Sequence, residues 1–238
     1  PFYNASLAPF VSEIGYHGCP NRKSLEKMMT KKCVYPWNKK GEFNKEWQAK
    51  ATMPFQNGKF CITRNNLMVN QAKLLYGECP KDLDDFILAS QLVQAEAKKY
   101  FIELWRTKKF ENKTGILWWN LRDGWPILSD AIVDYYGSKK LAYSFIKRVQ
   151  TDVCAMIDDD FKLVAANDTL KAAKGHVKVI DADSKKTVFE GDFEVPANAK
   201  TDIARLPAQD GQGVLLIEYT VDGKPQFNHY MYGRPPFK

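Results

Sequence analysis

Thr114-Gly-Ile-Leu-Trp-Trp-Asn-Leu-Arg-Asp-Gly-Trp-Pro126 is the stretch on which the reading of this chain turns. Its first half, Ile116 to Trp119, is a short apolar run of the kind that forms a strand buried on both faces. Its second half carries Asn120, Arg122, Asp123, Gly124, Trp125 and Pro126, for which a core strand has no use. Flat rings beside amide and carboxylate groups at a strand end suit a pocket for a pyranose: the ring covers the apolar sugar face and the polar groups take hydroxyls. Trp118 and Trp119 must face opposite ways along a strand, and periodicity alone does not say which faces the pocket. Asp123 either binds a hydroxyl or caps its own loop.

A second fragment, Phe10-Val-Ser-Glu-Ile-Gly15, has the same build: an apolar run that delivers one carboxylate, Glu13, at the end of a strand. The loop after it, Gly15-Tyr-His-Gly-Cys-Pro20, is broken by glycine and proline. Short helical turns are expected over Ser24–Met29, capped by Asn21 or Ser24, and over Asn44–Ala51 and Leu67–Leu75, within an aromatic-rich stretch that includes Trp37, Phe43, Trp47, Phe55 and Phe60. Asp82 starts the clearest element, an amphipathic helix running to about Lys108. Leu83, Phe86, Val93, Phe101 and Leu104 mark its single apolar face. After the 114–126 strand, a further helix spans Lys139 to Gln150, and Asp134 pins the turn before it. Strand, helix, strand, helix is the repeat of an α/β fold, with sites at the carboxyl ends of the strands. Only two convincing units fit in residues 1–150, so a (β/α)8 barrel here is incomplete.

Residues 151–238 change in kind. Val153–Ile157, Leu163–Ala166, His176–Asp181, Thr187–Glu194, Thr201–Leu206, Leu215–Val221 and Asn228–Tyr232 are short strand-like runs separated by turn signals such as Asp158-Asp-Asp160 and Asp222-Gly223. That pattern predicts an immunoglobulin-like β-sandwich, with His176 and His229 at its surface.

Composition narrows the classes. The formal charge is +7, but the lysines are scattered in pairs and form no basic block, so a nucleic-acid partner is not expected. The sequence has no run of eighteen apolar residues, and no membrane span is expected. The five cysteines (Cys19, Cys33, Cys61, Cys79 and Cys154) form no CxxC pair, which argues against a structural zinc site, and no metal or other cofactor is expected. The chain opens at Pro1 without an initiator Met or signal peptide, which reads as a processed product or an excised fragment.

Four of these segments, in order, carry a resemblance. Phe10-Val-Ser-Glu-Ile-Gly15 resembles the nucleophile strand of glycoside hydrolase family 2. Asp84-Asp-Phe with Ser90-Gln91 and Gln94-Ala-Glu96 resembles the next helix of that family's β-mannosidase-like branch. Gly115 to Pro126, with Ser129, Asp134-Tyr-Tyr-Gly137 and Lys140 to Tyr143, is similar to its last barrel strand and helix, and Asn228-His-Tyr-Met-Tyr-Gly-Arg-Pro-Pro-Phe237 to its terminal sandwich strand. The resemblance implies the C-terminal part of a retaining β-glycosidase that acts on a non-reducing-end sugar of a β-linked carbohydrate. Glu13 aligns with the nucleophile. Trp119, Asn120, Asp123 and Trp125 fall where the family lines the pocket, with Tyr16 and His17 at its mouth. The family's acid/base glutamate precedes the nucleophile, whereas none of the twelve residues before Glu13 is acidic. The isolated chain is therefore expected to be inactive, and its open barrel edge to promote self-association. A periplasmic or secreted location follows by analogy alone. The alternative is a non-catalytic carbohydrate-binding module.

Overall fold

The computed structural model describes residues 6–51 and 64–237. The sequence expectations at Phe55, Phe60 and Cys61 lie outside the described residues. The chain divides into two compact units that interleave along the sequence. The sheet unit gathers the segment ending at Ser12, Lys99–Leu117 and Ile146–Arg234; the helix–loop unit gathers Glu13–Lys98, Trp118–Phe145 and the residues from Pro235.

The element order is β1 (Phe10–Gly15), α1 (Arg22–Met28), α2 (Lys45–Ala51), α3 (Arg64–Tyr76), α4 (Leu83–Thr107), β2 (Gly115–Trp119), α5 (Leu141–Val149), then β3 (Val153–Ile157), β4 (Lys162–Asn167), β5 (Ala173–Asp181), β6 (Thr187–Val195), β7 (Lys200–Arg205), β8 (Gly213–Val221) and β9 (Lys224–Tyr232). β1 and β2 pair in a two-stranded sheet. β1 continues two residues past Glu13 to Gly15.

In the sheet unit, β3-β4-β7 form one antiparallel sheet and β6-β5-β8-β9 another. The alternation seen in sequence is the alternation of faces. Val177, Val179, Leu215 and Ile217 point from the larger sheet into a core that Ala155, Ile157, Leu163 and Ala165 complete from the smaller one. The β8–β9 hairpin pairs Val221 with Lys224 across Asp222-Gly223. Both turn residues have positive φ, +48° and +77°, which the two-residue turn requires. At Gly175 a Cβ would lie 2.2 Å from the Thr220 carbonyl, so that register needs glycine. His229 is buried at 8% exposure, not at the surface: with Asn228 turned inward and donating to Ala155 O at 2.9 Å, His229 lies on the opposite face of β9, which is covered as well. His176 is exposed, as expected, between Asp192 and Glu190.

The helix–loop unit has its own core around Trp37, Trp47, Phe86, Met68 and Leu25. Asn44 caps α2 by accepting from the N–H groups of Glu46 and Trp47 at 3.1 and 3.2 Å. The Trp47 indole N–H is shared by the carbonyls of Cys33 and Val34, so this fully buried ring leaves no unmet donor. Asp82 caps α4 through the N–H groups of Asp84 and Asp85. Asn21 does not cap α1 with its side chain; its Nδ2 donates instead to Ser138 Oγ and Lys139 O.

Two expectations change here. α4 is buried nearly all round, with Gln91, Gln94, Lys98 and Glu103 buried alongside the apolar stripe, and Leu88 exposed. β2 is not buried on both faces: Leu117 is 57% and Trp119 50% exposed, because β1 is the only described strand that pairs with it. Among the described residues Cys19, Cys33, Cys79 and Cys154 are free thiols.

Candidate functional site

The site residues of the helix–loop unit are held by hydrogen bonds from buried polar side chains. Gln94, on α4, donates from Nε2 to Tyr16 O at 2.9 Å and to Asp130 O at 3.0 Å, so one amide fixes two loops. Gly18 must be glycine there, since a Cβ would stand 2.3 Å from Gln94 Oε1. Lys140, fully buried, donates to Gly18 O at 2.7 Å and Ser129 O at 3.2 Å. Lys98, also fully buried, donates to Trp119 O and lies 5.6 Å from the centre of the Trp118 ring. The segment after β2 is pinned in turn: Ile132 and Val133 donate to the carbonyls of Asn120 and Leu121, and Asp123 N donates to Val133 O. The peptide between Trp119 and Asn120 is cis.

On this frame the chemistry-bearing side chains separate into kinds. Glu13 is exposed near the carboxyl end of β1, and its carboxylate has no hydrogen-bond or ion-pair partner among the described residues. Asp123 is buried at 6% exposure and accepts from Ser129 Oγ through Oδ1, while Oδ2 has no partner. The Asn120 amide donates to Arg122 O at 3.3 Å, and its buried Oδ1 is likewise unpartnered. Both are buried acceptors that no described residue satisfies. Of the tryptophan pair, Trp118 is half-buried and Trp119 half-exposed. Trp125 is 67% exposed and lines a surface cavity of about 480 Å3 with Met28, Glu46, Lys50 and Pro126. Asp134 serves its turn, as expected, accepting from the N–H groups of Tyr136 and Ser138 at 3.0 Å each.

His17 lies 3.1 Å from Asp130 through Nε2. A carboxylate this near ordinarily raises an imidazole pKa, but burial and the charges of Arg64, Lys140 and Lys98 together prevail and lower it from 6.5 to about 3. At neutral pH His17 is therefore uncharged, and its Nε2 meets Asp130 Oδ1 by proximity and not by a hydrogen bond. Burial also raises Asp130 and Asp123 above the usual carboxylate range and lowers Lys98 to about 8.

The structure brings Tyr16, His17 and Asp123 onto one framework through the 129–131 loop and ties the Trp119 carbonyl to α4. It shows no contact of the Glu13 side chain with Trp125. Sequence reasoning missed the supporting residues Gln94, Lys98, Asp130 and Lys140. The signal was present in Gln91, Gln94 and Lys98, whose spacings of three and four repeat along one face of α4. Among the described residues, the one acidic grouping spaced for a metal is Asp158–Asp160, on an exposed hairpin turn of the sheet unit.

No family model matches the chain. Known proteins do. β-Mannosidase B of Aspergillus niger is 27% identical over 168 residues, 60% of this chain and 19% of that protein. The β-D-mannosidase of Dictyoglomus thermophilum superposes with a TM-score of 0.78 at 25% identity, covering 99% of this chain and 29% of its own. Amycolatopsis orientalis exo-chitosanase, solved with PNP-β-D-glucosamine, shares the fold at a TM-score of 0.69 and 20% identity, covering 93% of this chain and 27% of its own. The chain thus spans about a fifth of the length of the curated relative it matches. In sequence the chain resembles β-mannosidases, in keeping with the C-terminal region of a glycoside hydrolase of family 2, and it shares its fold with the exo-chitosanase.

Proposed function

We propose that this chain supplies the nucleophile and one wall of the sugar pocket in a retaining β-glycoside hydrolase. Residues 1–150 are read as the last part of a (β/α)8 barrel and residues 151–238 as an immunoglobulin-like sandwich. Glu13 attacks the anomeric carbon to form a glycosyl-enzyme ester, and water then releases the sugar. That chemistry needs a second carboxyl group about 5–5.5 Å away to protonate the leaving oxygen and later to activate the water. No residue of this chain is assigned that role, so the 238 residues alone do not turn substrate over. The aromatic wall is Trp119 and Trp125, the hydroxyl acceptors are Asn120 and Asp123, and Tyr16 and His17 stand at the mouth.

The observation that carries this reading is the unpartnered, exposed carboxylate of Glu13 near the end of β1, in a chain that matches β-mannosidases. A terminal β-mannosyl or β-glucosaminyl residue is the substrate class, on the names of the relatives. Exposed Phe10, Leu117 and Leu121 support self-association when the chain is prepared alone, and a periplasmic or secreted location is proposed by analogy.

Two measurements test the reading. The isolated chain is expected to release no nitrophenol from aryl β-mannosides or β-glucosaminides; turnover that disappears in Glu13→Gln overturns the claim of inactivity. In the full product of the reading frame that encodes this chain, a 2-deoxy-2-fluoro-β-mannosyl fluoride, whose leaving group needs no proton donor, is expected to label the peptide that contains Glu13. A label on any other carboxylate overturns the assignment.

A further inference from the structure

The sheet unit holds a second cavity, at the amino end of β2, that the proposed chemistry does not use. It encloses about 420 Å3, and its wall includes Trp105, Arg106, Lys109, Phe110, Lys113 and Asp168. Three of these are cations, and Asp168 is the lone carboxylate of the lining, so the wall carries a formal charge of +2. Asp168 is moreover shared: Arg106 Nη2 lies 2.9 Å from one of its oxygens and Lys109 Nζ 2.6 Å from the other. The cations also brace the backbone. Arg106 Nη1 donates to Val149 O, Lys109 to Asn167 O and Lys113 to the carbonyls of Ser6 and Ala8.

Those contacts explain why the cations are rigid, but they do not use every donor. Arg106 Nε and Trp105 Nε1 are buried and have no acceptor among the described residues. Both residues are more than nine-tenths buried, with Lys113 Nζ 4.6 Å from the centre of the Trp105 ring. Buried N–H groups are ordinarily paired. A cavity with surplus positive charge repels a cation. Its complement is a ligand that only accepts and is negatively charged.

We propose that this cavity is a binding site for a small oxyanion, a phosphoryl or sulfuryl group, held by Arg106, Lys109 and Lys113. The apolar side chains of Phe110 and Ile116 in the same wall leave room for an ester body behind the charged group. The proposal does not depend on the glycosidase reading and survives its failure.

Calorimetric titration of the 238-residue chain with inorganic phosphate, and separately with phenyl phosphate, tests it at fixed ionic strength against a chloride control. Saturable binding at one site per chain is expected. Lys109→Gln removes one charge-assisted hydrogen bond and is expected to weaken binding about tenfold. Asp168→Asn raises the charge of the wall to +3 and is expected to tighten it. If Lys109→Gln fails to fold by circular dichroism, the Asp168→Asn arm decides, and unchanged or weaker affinity there overturns the proposal. Phosphate binding alone identifies the free ion as the ligand, and phenyl phosphate binding alone identifies an ester; either supports the shared chemistry. Saturation by neither, or binding indifferent to both variants, overturns it.

Discussion

Between its two sheets the sheet unit has an apolar core whose backbone groups are paired in antiparallel ladders; the polar side chains it buries, Lys99, Glu103, Arg106, Thr107, Lys113, Asn167, Asn228 and His229, lie on α4, in the loop after it and on β4 and β9. The helix–loop unit buries Asn65, Gln91, Gln94, Lys98, Asp123, Asp134 and Lys140. The difference follows from what each must hold. A ladder satisfies its own N–H and C=O groups, whereas irregular loops leave carbonyls that only side chains reach. Gln94 and Lys140 do for the 16–18 and 129–131 loops what strand neighbours do in a sheet. Their two histidines show the contrast in one group: flanking carboxylates raise exposed His176, while burial and neighbouring cations lower His17.

The contrast is broken most forcefully at Trp47, where the helix–loop unit relies on packing as the sheets do. Its fully buried ring sits 5.9 Å from Phe43 and 6.1 Å from Phe86, centre to centre. Trp47→Ala is expected to cost about 3–5 kcal/mol, as truncating a large core aromatic does. It also strips the donor from the Cys33 and Val34 carbonyls. Urea denaturation followed by far-UV circular dichroism measures the loss. A cost below about 1 kcal/mol would mean that the polar network, not the aromatic cluster, holds this unit.

A smaller effect separates the units by pH. His17 titrates at about 3 in the folded state, below its ordinary value of 6.5, so the unfolded chain takes up a proton that the folded one refuses. Its contribution to stability is full above pH 6.5 and is lost as pH falls toward 3. At pH 5 the loss is about 2 kcal/mol, at roughly 1.4 kcal/mol per pH unit. Asp123 and Asp130, raised by burial, protonate first in the folded state and act in the opposite sense at lower pH. His176, being raised, contributes stability that is present below 6.5 and fades as pH rises through its folded value. Proton NMR is expected to show His176 titrating above His17. Comparing urea midpoints at pH 7 and 5 in the native chain and in His17→Asn isolates the His17 share. An imidazole of His17 that titrates between pH 6 and 7 would refute the burial argument.

What the sequence disclosed follows the same division. Every strand of the sheet unit was legible to within a few residues, because a period of two and turn pairs such as Asp222-Gly223 act locally. In the helix–loop unit α4 was legible, with its cap at Asp82, but its second buried face was not. Periodicity assigns Gln91, Gln94 and Lys98 to water, and their actual partners, the carbonyls of Cys19, Tyr16 and Trp119, come from distant loops. β2 was misread for the converse reason: an apolar run signals that something covers it, and within the described residues β1 alone pairs with it. Glu13 stood out as a lone carboxylate on an apolar strand, yet that no described residue partners it is visible only in the structure.

The smallest expected effect sharpens the comparison along α4 itself. Leu88 is 55% exposed on a helix whose neighbours Phe86, Ile87, Ala89, Ser90 and Gln91 are all buried. Leu88→Ala removes little buried surface there, and alanine is at least as good a helix former as leucine. The stability change is therefore expected to stay within about 0.5 kcal/mol, as for surface substitutions free of special contacts. Leu83, 4% exposed one helical turn and a little more earlier, sets the contrast, because Leu83→Ala opens a cavity. Urea denaturation of the two variants side by side measures both. Were Leu88→Ala to cost more than about 1.5 kcal/mol, a side chain or partner must cover Leu88 in solution, and α4 would be buried on every face rather than on all but one.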